Sequence, residues 1–223
     1  LTTFRKALPA RHLLVNAETT RDAARLRRAE FTRIAAPRRM AELPLHTDPD
    51  QRAAALHPKW RNRLRHGQRQ GLHLTHGPLP ADPAHWLLSE DRRQARALGY
   101  RPLPPALLTA LAQTDPQATH LVTARHAGTP IAAMLFLRHG AAATYQIGWV
   151  GAEGRRLSAG PALMWHAMGL LAQREVRRLD LGLADQKGAP GLTRFKTGTG
   201  ARLRSLGGTW IDSVWIPRLR GRS

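Results

Sequence analysis

The chain has 223 residues, 42% of them hydrophobic, enough for one domain with a full core or one domain and part of another. It contains no cysteine, which excludes disulfides, thiolate zinc sites and cysteine nucleophiles. Its 35 basic against 15 acidic residues leave a net charge of +20, which points to a polyanionic partner such as RNA, a nucleotide or an anionic surface.

Arginine carries most of that charge, since Lys6, Lys59, Lys187 and Lys196 are the only lysines. The chain is also rich in Ala, Pro and Gly, a composition in which coding bias favours arginine, so Lys59 and Lys196 stand out. No run approaches the length of a membrane span, and residues 1–10 lack the apolar core of a signal peptide, so the default expectation is a cytoplasmic protein.

Residues 1–48 read as the tail of something larger. Residues 11–16 form a short strand, Thr20 caps a helix that continues to about Ile34, and Pro37 stops it. Residues 40–45 follow as an edge strand, because Pro44 cannot donate to a central ladder. These pieces are too few to bury a core of their own.

A second unit is expected over 49–217. Asp48-Pro49-Asp50 opens a helix over 51–56, and a basic helix begins near Lys59. Trp60, Leu64 and Gly67 share one of its faces and Arg61, Arg65 and Gln68 another, with Gly71 suited to its end. The basic face fits either contact with phosphate, through Lys59, Arg61 and Arg63, or plain solvation. His73 and His76 fall on opposite sides of the strand that follows and no carboxylate or cysteine completes a set, so no metal site is expected.

Helices are predicted at 86–98 and 105–112, then a β meander. Its strands cover 120–125, the nearly continuous apolar run 131–137, and 141–150, which carries Tyr145, Ile147 and Trp149 on one face. Next comes a basic, glycine-bearing turn, Gly151 to Gly160, and a helix opened by Pro161 that lays Leu163, Ala167, Leu170 and Leu171 on a sheet. Residues 177–182 form a strand parallel to the one before it, by the handedness of the crossover.

The fold class is therefore α/β with a mixed sheet, an antiparallel meander followed by a parallel βαβ unit. Its ligand crevice belongs at the carboxyl ends where the parallel pair splays. Arg155, Arg156, Ser158 and Gly160 are expected there, at a helix N-terminus whose free N–H groups and dipole favour phosphate. Asp180 alternates out of phase with Leu179 and Leu181, which fits either the cleft side or a partner for a nearby arginine. Residues 191–200 make a short helix or turn containing Phe195-Lys196, one or two strands close the chain over 202–215, and 218–223 is a basic tail.

The spacing Arg155-x-x-Ser158-x-Gly160 resembles the acyl-donor loop of the GNAT acyltransferases, with serine where glycine is usual. In order, the Lys59-Trp60-Arg61-Asn62-Arg63-Leu64 segment, the Tyr145 to Trp149 strand, Leu179-Asp180-Leu181-Gly182 and Gly191-Leu192-Thr193-Arg194-Phe195-Lys196-Thr197-Gly198 resemble the Fem-type branch of that superfamily over roughly residues 40–210. The resemblance implies two GNAT-like halves, of which only the second is complete here. It also implies transfer of an acyl group to an amine acceptor. The donor is an acyl-CoA such as acetyl-CoA, or an aminoacyl-tRNA, in which case tRNA is a partner; neither route uses a metal.

Lys196 is similar in position to the family's lysine that stabilises the oxyanion of the tetrahedral intermediate, with Phe195 beside it. Arg155, Arg156, Ser158, Gly160 and Trp149 then fall to the donor, and Lys59, Arg61, Arg63 and Tyr145 to the acceptor or its phosphate. Asp180, His166 and Tyr145 are candidate bases by region. An α/β-hydrolase does not fit, because Arg156 stands where a nucleophile elbow at Ser158 needs glycine and no histidine follows His166. A non-catalytic RNA-binding module is the alternative that the charge supports.

Overall fold

The structure is a computed structural model, and it describes residues 12–184 and 189–213. The expectations that rest on residues 1–11, Lys187, Trp215 and the tail 218–223 lie outside the described residues. The described residues divide into two compact units, one of residues 12–40, 183–184 and 203–213, the other of 41–182 and 189–202.

In the smaller unit, β1 (His12–Ala17), β10 (Gly208–Ser213) and β2 (Thr32–Ala35) form an antiparallel sheet in that order. Helix α1 (Thr20–Arg28) is capped by Thr19, whose hydroxyl accepts from the Asp22 N–H at 3.1 Å. It stops well short of Ile34. Glu30 turns into the left-handed region (φ 63°) and the Phe31 N–H closes on Leu26 O at 3.0 Å, after which the β-branched Thr32 and Ile34 join a strand. Ala17, Leu26 and Phe31 bury against Trp210 of the last strand.

The larger sheet runs β4-β5-β6-β7-β8-β3-β9. The chain enters it through β3 (Arg39–Pro44), continues through α2 (Pro49–Ala55) and α3 (Pro58–Gln68) to β4 (His73–Gly77), and then through α4 (Trp86–Leu98) and α5 (Pro105–Thr114). β5 (Thr119–His126), β6 (Thr129–His139) and β7 (Ala142–Val150) make the meander. A short helix α6 (Ala152–Arg156) and the long α7 (Ala159–Gln173) lead to β8 (Arg178–Leu183), then α8 (Pro190–Gly198) and β9 (Arg202–Ser205). β3 has neighbours on both sides and is no edge strand. Pro44 is its last residue, where the missing N–H interrupts nothing inside the ladder.

Both faces of β6 are covered, and Ile131 to Phe136 are buried without a break. On one face Ala133, Leu135 and Ile147 meet Leu87 and Leu88 of α4 and Leu108 of α5. The other face takes α7, whose Leu163, Met164, Ala167, Met168 and Leu171 are buried, while Leu170 is not. Among the described residues no helix is long and apolar enough to cross a membrane.

Two irregularities shape the carboxyl end of this sheet. Leu135 pairs with Ile147 but Phe136 with Tyr145, so Gln146 is an extra residue, a bulge in β7. The expected shared face of Tyr145, Ile147 and Trp149 is therefore broken. Ile147 and Trp149 pack on the α4 and α5 side, whereas Tyr145 goes with Phe136, ring centroids 5.4 Å apart. A Cβ at Gly148 would lie 1.6 Å from the Tyr145 hydroxyl, so only glycine fits beneath that ring. In addition, β7 and β8 pair in parallel only at Ala142 with Arg178, Ala143 with Leu179 and Thr144 with Asp180. From Tyr145 onward the two strands run without rungs between them.

Candidate functional site

Beyond the last rung, at the carboxyl end of β8, lies the ammonium of Lys196. A Cβ on Gly182 would stand 3.4 Å from its Nζ. Gly182 has φ 77°, a conformation that favours glycine and keeps the space in front of the amine free of a side chain. Lys196 is 5% exposed, and burial pulls its pKa down to about 8. Its neighbour Phe195 reaches the start of α7, since a Cβ at Gly160 would be 3.8 Å from the Phe195 ring and 3.6 Å from Val150 at the end of β7. Val150, Gly160, Phe195, Lys196 and Gly182 thus bracket the place where β7 and β8 part.

Next to this group is a cavity of about 780 Å³. Lys59, Trp60 and Arg63 of α3, Pro161 of α7 and Gly191, Arg194 and Thr197 of α8 line it, and among the described residues no carboxylate does. The two helices are held edge to edge by glycine, because a Cβ at Gly198 would lie 2.6 Å from the Trp60 ring. The His57 N–H also donates to Gly198 O at 3.0 Å, and His57 caps α3 by accepting from the Lys59 N–H at 3.3 Å. Trp60 is 5% exposed, tilted against Phe195 at 6.1 Å, and among the described residues its indole N–H has no acceptor. Three cations around a hollow of this size suit a ligand carrying phosphates.

The basic turn differs from its expected form. Residues 152–156 coil into α6, Ser158 adopts the left-handed conformation (φ 54°, ψ 35°), and α7 begins at Ala159, so Pro161 lies inside its first turn. Arg155 and Arg156 therefore close a short helix and do not open the long one. Arg155 donates to Val150 O at 2.6 Å, and Arg156 makes a two-pronged pair with Glu153 at 2.6 and 2.8 Å. The serine that departs from the usual glycine occupies a backbone conformation natural to glycine. A Cβ on Gly67 would be 2.6 Å from Ser158 O, so α3 closes on the carbonyl side of this turn.

The other expected residues divide. Lys59 and Arg63 line the cavity, but Arg61 turns away and donates to Ala53 O and Leu56 O at 3.2 Å, capping α2. Trp149 packs edge-on against Trp86 at 5.3 Å in the core, on the α4 and α5 side. Asp180 stands on the last parallel rung, buried, with Arg178 at 3.3 Å. Burial lifts the Tyr145 hydroxyl far above its usual range, and His166 lines a different cavity. Arg194, Gly191 and Gly198 were not foreseen, although their spacing with Phe195 on one face of a helix was there to read once residues 190–198 are taken as helical.

A profile of the acetyltransferase (GNAT) domain matches residues 17–197. Among solved structures, FemX aligns with a TM-score of 0.75 at 12% identity, over 94% of this chain and 74% of that one. The structure of L-PGS from Bacillus licheniformis aligns with a TM-score of 0.56 at 11% identity, over 94% and 70%. The C-terminal domain (DUF2156) of a putative lysylphosphatidylglycerol synthetase from Agrobacterium fabrum gives 0.56 at 13%, over 90% and 67%. At these identities the likeness is one of fold. No curated protein matches the sequence.

Proposed function

For a chain that belongs to the GNAT acetyltransferase domain family, we propose N-acyl transfer, from a phosphate-bearing donor, acyl-CoA or aminoacyl-tRNA, to an amine. The observation that carries this reading is the buried Lys196 amine at the gap where β7 and β8 part, beside a cavity lined by Lys59, Arg63 and Arg194. In this reading the three cations hold the donor's phosphates, and Phe195 with Gly160 guides its acyl end toward the gap. The neutral acceptor amine attacks the carbonyl carbon. A C–N bond forms, the carbonyl electron pair moves to oxygen, and the Lys196 ammonium stabilises that oxyanion by a few kcal/mol in a site that excludes water. Collapse breaks the C–S or C–O bond to the donor, and the amine's surplus proton passes to solvent or the leaving group.

The test is transfer of a radiolabelled acyl group from acetyl-CoA and, separately, from charged tRNA with and without RNase. Lys196→Ala is expected to lower turnover on the order of a hundredfold or more while donor affinity changes little. Because the ammonium is the active form, turnover should fall as pH rises through about 8. Unchanged turnover in the variant would remove Lys196 from the chemistry. The net charge of +20 keeps a second reading, a non-catalytic RNA-binding module on the same scaffold, which predicts no transfer from either donor and RNA binding that survives Lys196→Ala.

A further inference from the structure

A second cavity, of about 430 Å³, runs along α7 and shares no lining residue with the first. Leu72, Leu74 and Leu170 give it apolar walls, Gln68 and Gln173 add amides, and His166 and Arg52 line it as well. Arg52 is 8% exposed. Its Nη1 donates to His46 O and Thr47 O, both at 2.6 Å, and its guanidinium lies 5.6 Å over the Trp165 ring. Its Nε is buried without an acceptor, and among the described residues no carboxylate pairs with it.

A buried cation without a counter-charge is costly, and two carbonyls and an aromatic face compensate it only in part. The remaining edge of the guanidinium faces the hollow. A Cβ on Gly169, itself in the cavity wall, would be 3.7 Å from Nη2, which places that nitrogen over the cavity floor. One unopposed positive charge in a cavity of mixed lining, beside the side chains of Leu72, Leu74 and Leu170, matches a monoanion with a short hydrocarbon body, and one donor edge is too little for a phosphate dianion. We propose that this cavity binds a small organic carboxylate, its oxygens on Arg52 Nη2 and its apolar part against Leu72, Leu74 and Leu170.

Calorimetric titration of the whole chain with 4-methylpentanoate, with the isosteric 4-methylpentanamide and with inorganic phosphate tests this. The carboxylate is expected to bind at least about tenfold more tightly than either of the others, the loss of one charge-assisted hydrogen bond. Arg52→Gln would also free the carbonyls of residues 46 and 47, so the decisive variant is Gly169→Leu, which fills the cavity from a helical position. It should weaken 4-methylpentanoate binding at least about tenfold with the thermal midpoint kept, and Gly169→Ala, whose methyl meets Nη2 in ordinary contact, should do so to a smaller degree. Equal binding of acid and amide, no binding of the acid up to about 10 mM, or full binding by both Gly169 variants would each overturn the proposal.

Discussion

Lys196 sets function against stability at a single residue. Its pKa is about 8 in the folded chain against an ordinary 10.5, so between those values the unfolded chain binds more protons and stability rises with pH. Below about 8 the whole cost of burying the charge is present. Lys196→Met should therefore lose this rise, so that the stability of the variant relative to the parent falls between about pH 8 and about pH 10.5. Urea denaturation at about pH 7 and about pH 10 reads this directly. The same difference between variant and parent at both pH values would remove the lowered pKa of the amine. Gly148 makes the opposite kind of demand, since a methyl there coincides with the Tyr145 hydroxyl. Gly148→Ala is expected to cost about 1–3 kcal/mol. Paired with Tyr145→Leu it should cost markedly less than the sum of the two single changes, a coupling that a double-mutant cycle measures.

Elements were more legible than their ends and turns. The helix at 86–98, the meander and the parallel crossover follow from apolar periodicity, and the face of Trp60, Leu64 and Gly67 is the buried face of α3. Gln146 was invisible because a bulge adds a residue without changing the alternation on either side of it, so Tyr145 could not be assigned to a face from spacing alone. The form of the turn after β7 was hidden for a similar reason, because Arg155 and Arg156 find Val150 O and Glu153 only once Ala152 to Arg156 have coiled. Lys196 was legible as a rare residue beside Phe195. The cavity was not, since α3 and α8 are far apart in sequence and meet through the missing side chain of Gly198. Gly198→Ala should push Trp60 away from α8, lower stability by about 1–3 kcal/mol, and weaken donor binding more than Gly77→Ala, where a methyl would meet open space away from the cavity. Equal donor affinities for the two variants would separate this contact from the donor site.

For the molecule as a whole, a charge of +20 makes ionic strength the most informative variable. If the donor is aminoacyl-tRNA, the logarithm of its affinity should fall steeply with the logarithm of salt, and replacing Lys59, Arg63 or Arg194 by glutamine should each reduce that slope by about one. With an acyl-CoA donor the slope should be shallow from the start, and fluorescence titrations at four salt concentrations distinguish the two. Arg156, already joined to Glu153, should leave the slope nearly unchanged in either case.

One consequence of the short parallel ladder belongs to this scale as well. Open β-edges normally lie on a protein's outer margin, where a neighbouring chain can add to them. Past Thr144, β7 has such an edge within the span of a seven-stranded sheet, and a side-chain amide, that of Gln94, already donates to its Gly148 O at 3.3 Å. If a donor enters where β7 and β8 part, as the proposed transfer requires, the main-chain groups of β7 beyond Thr144 would be among the first atoms it meets.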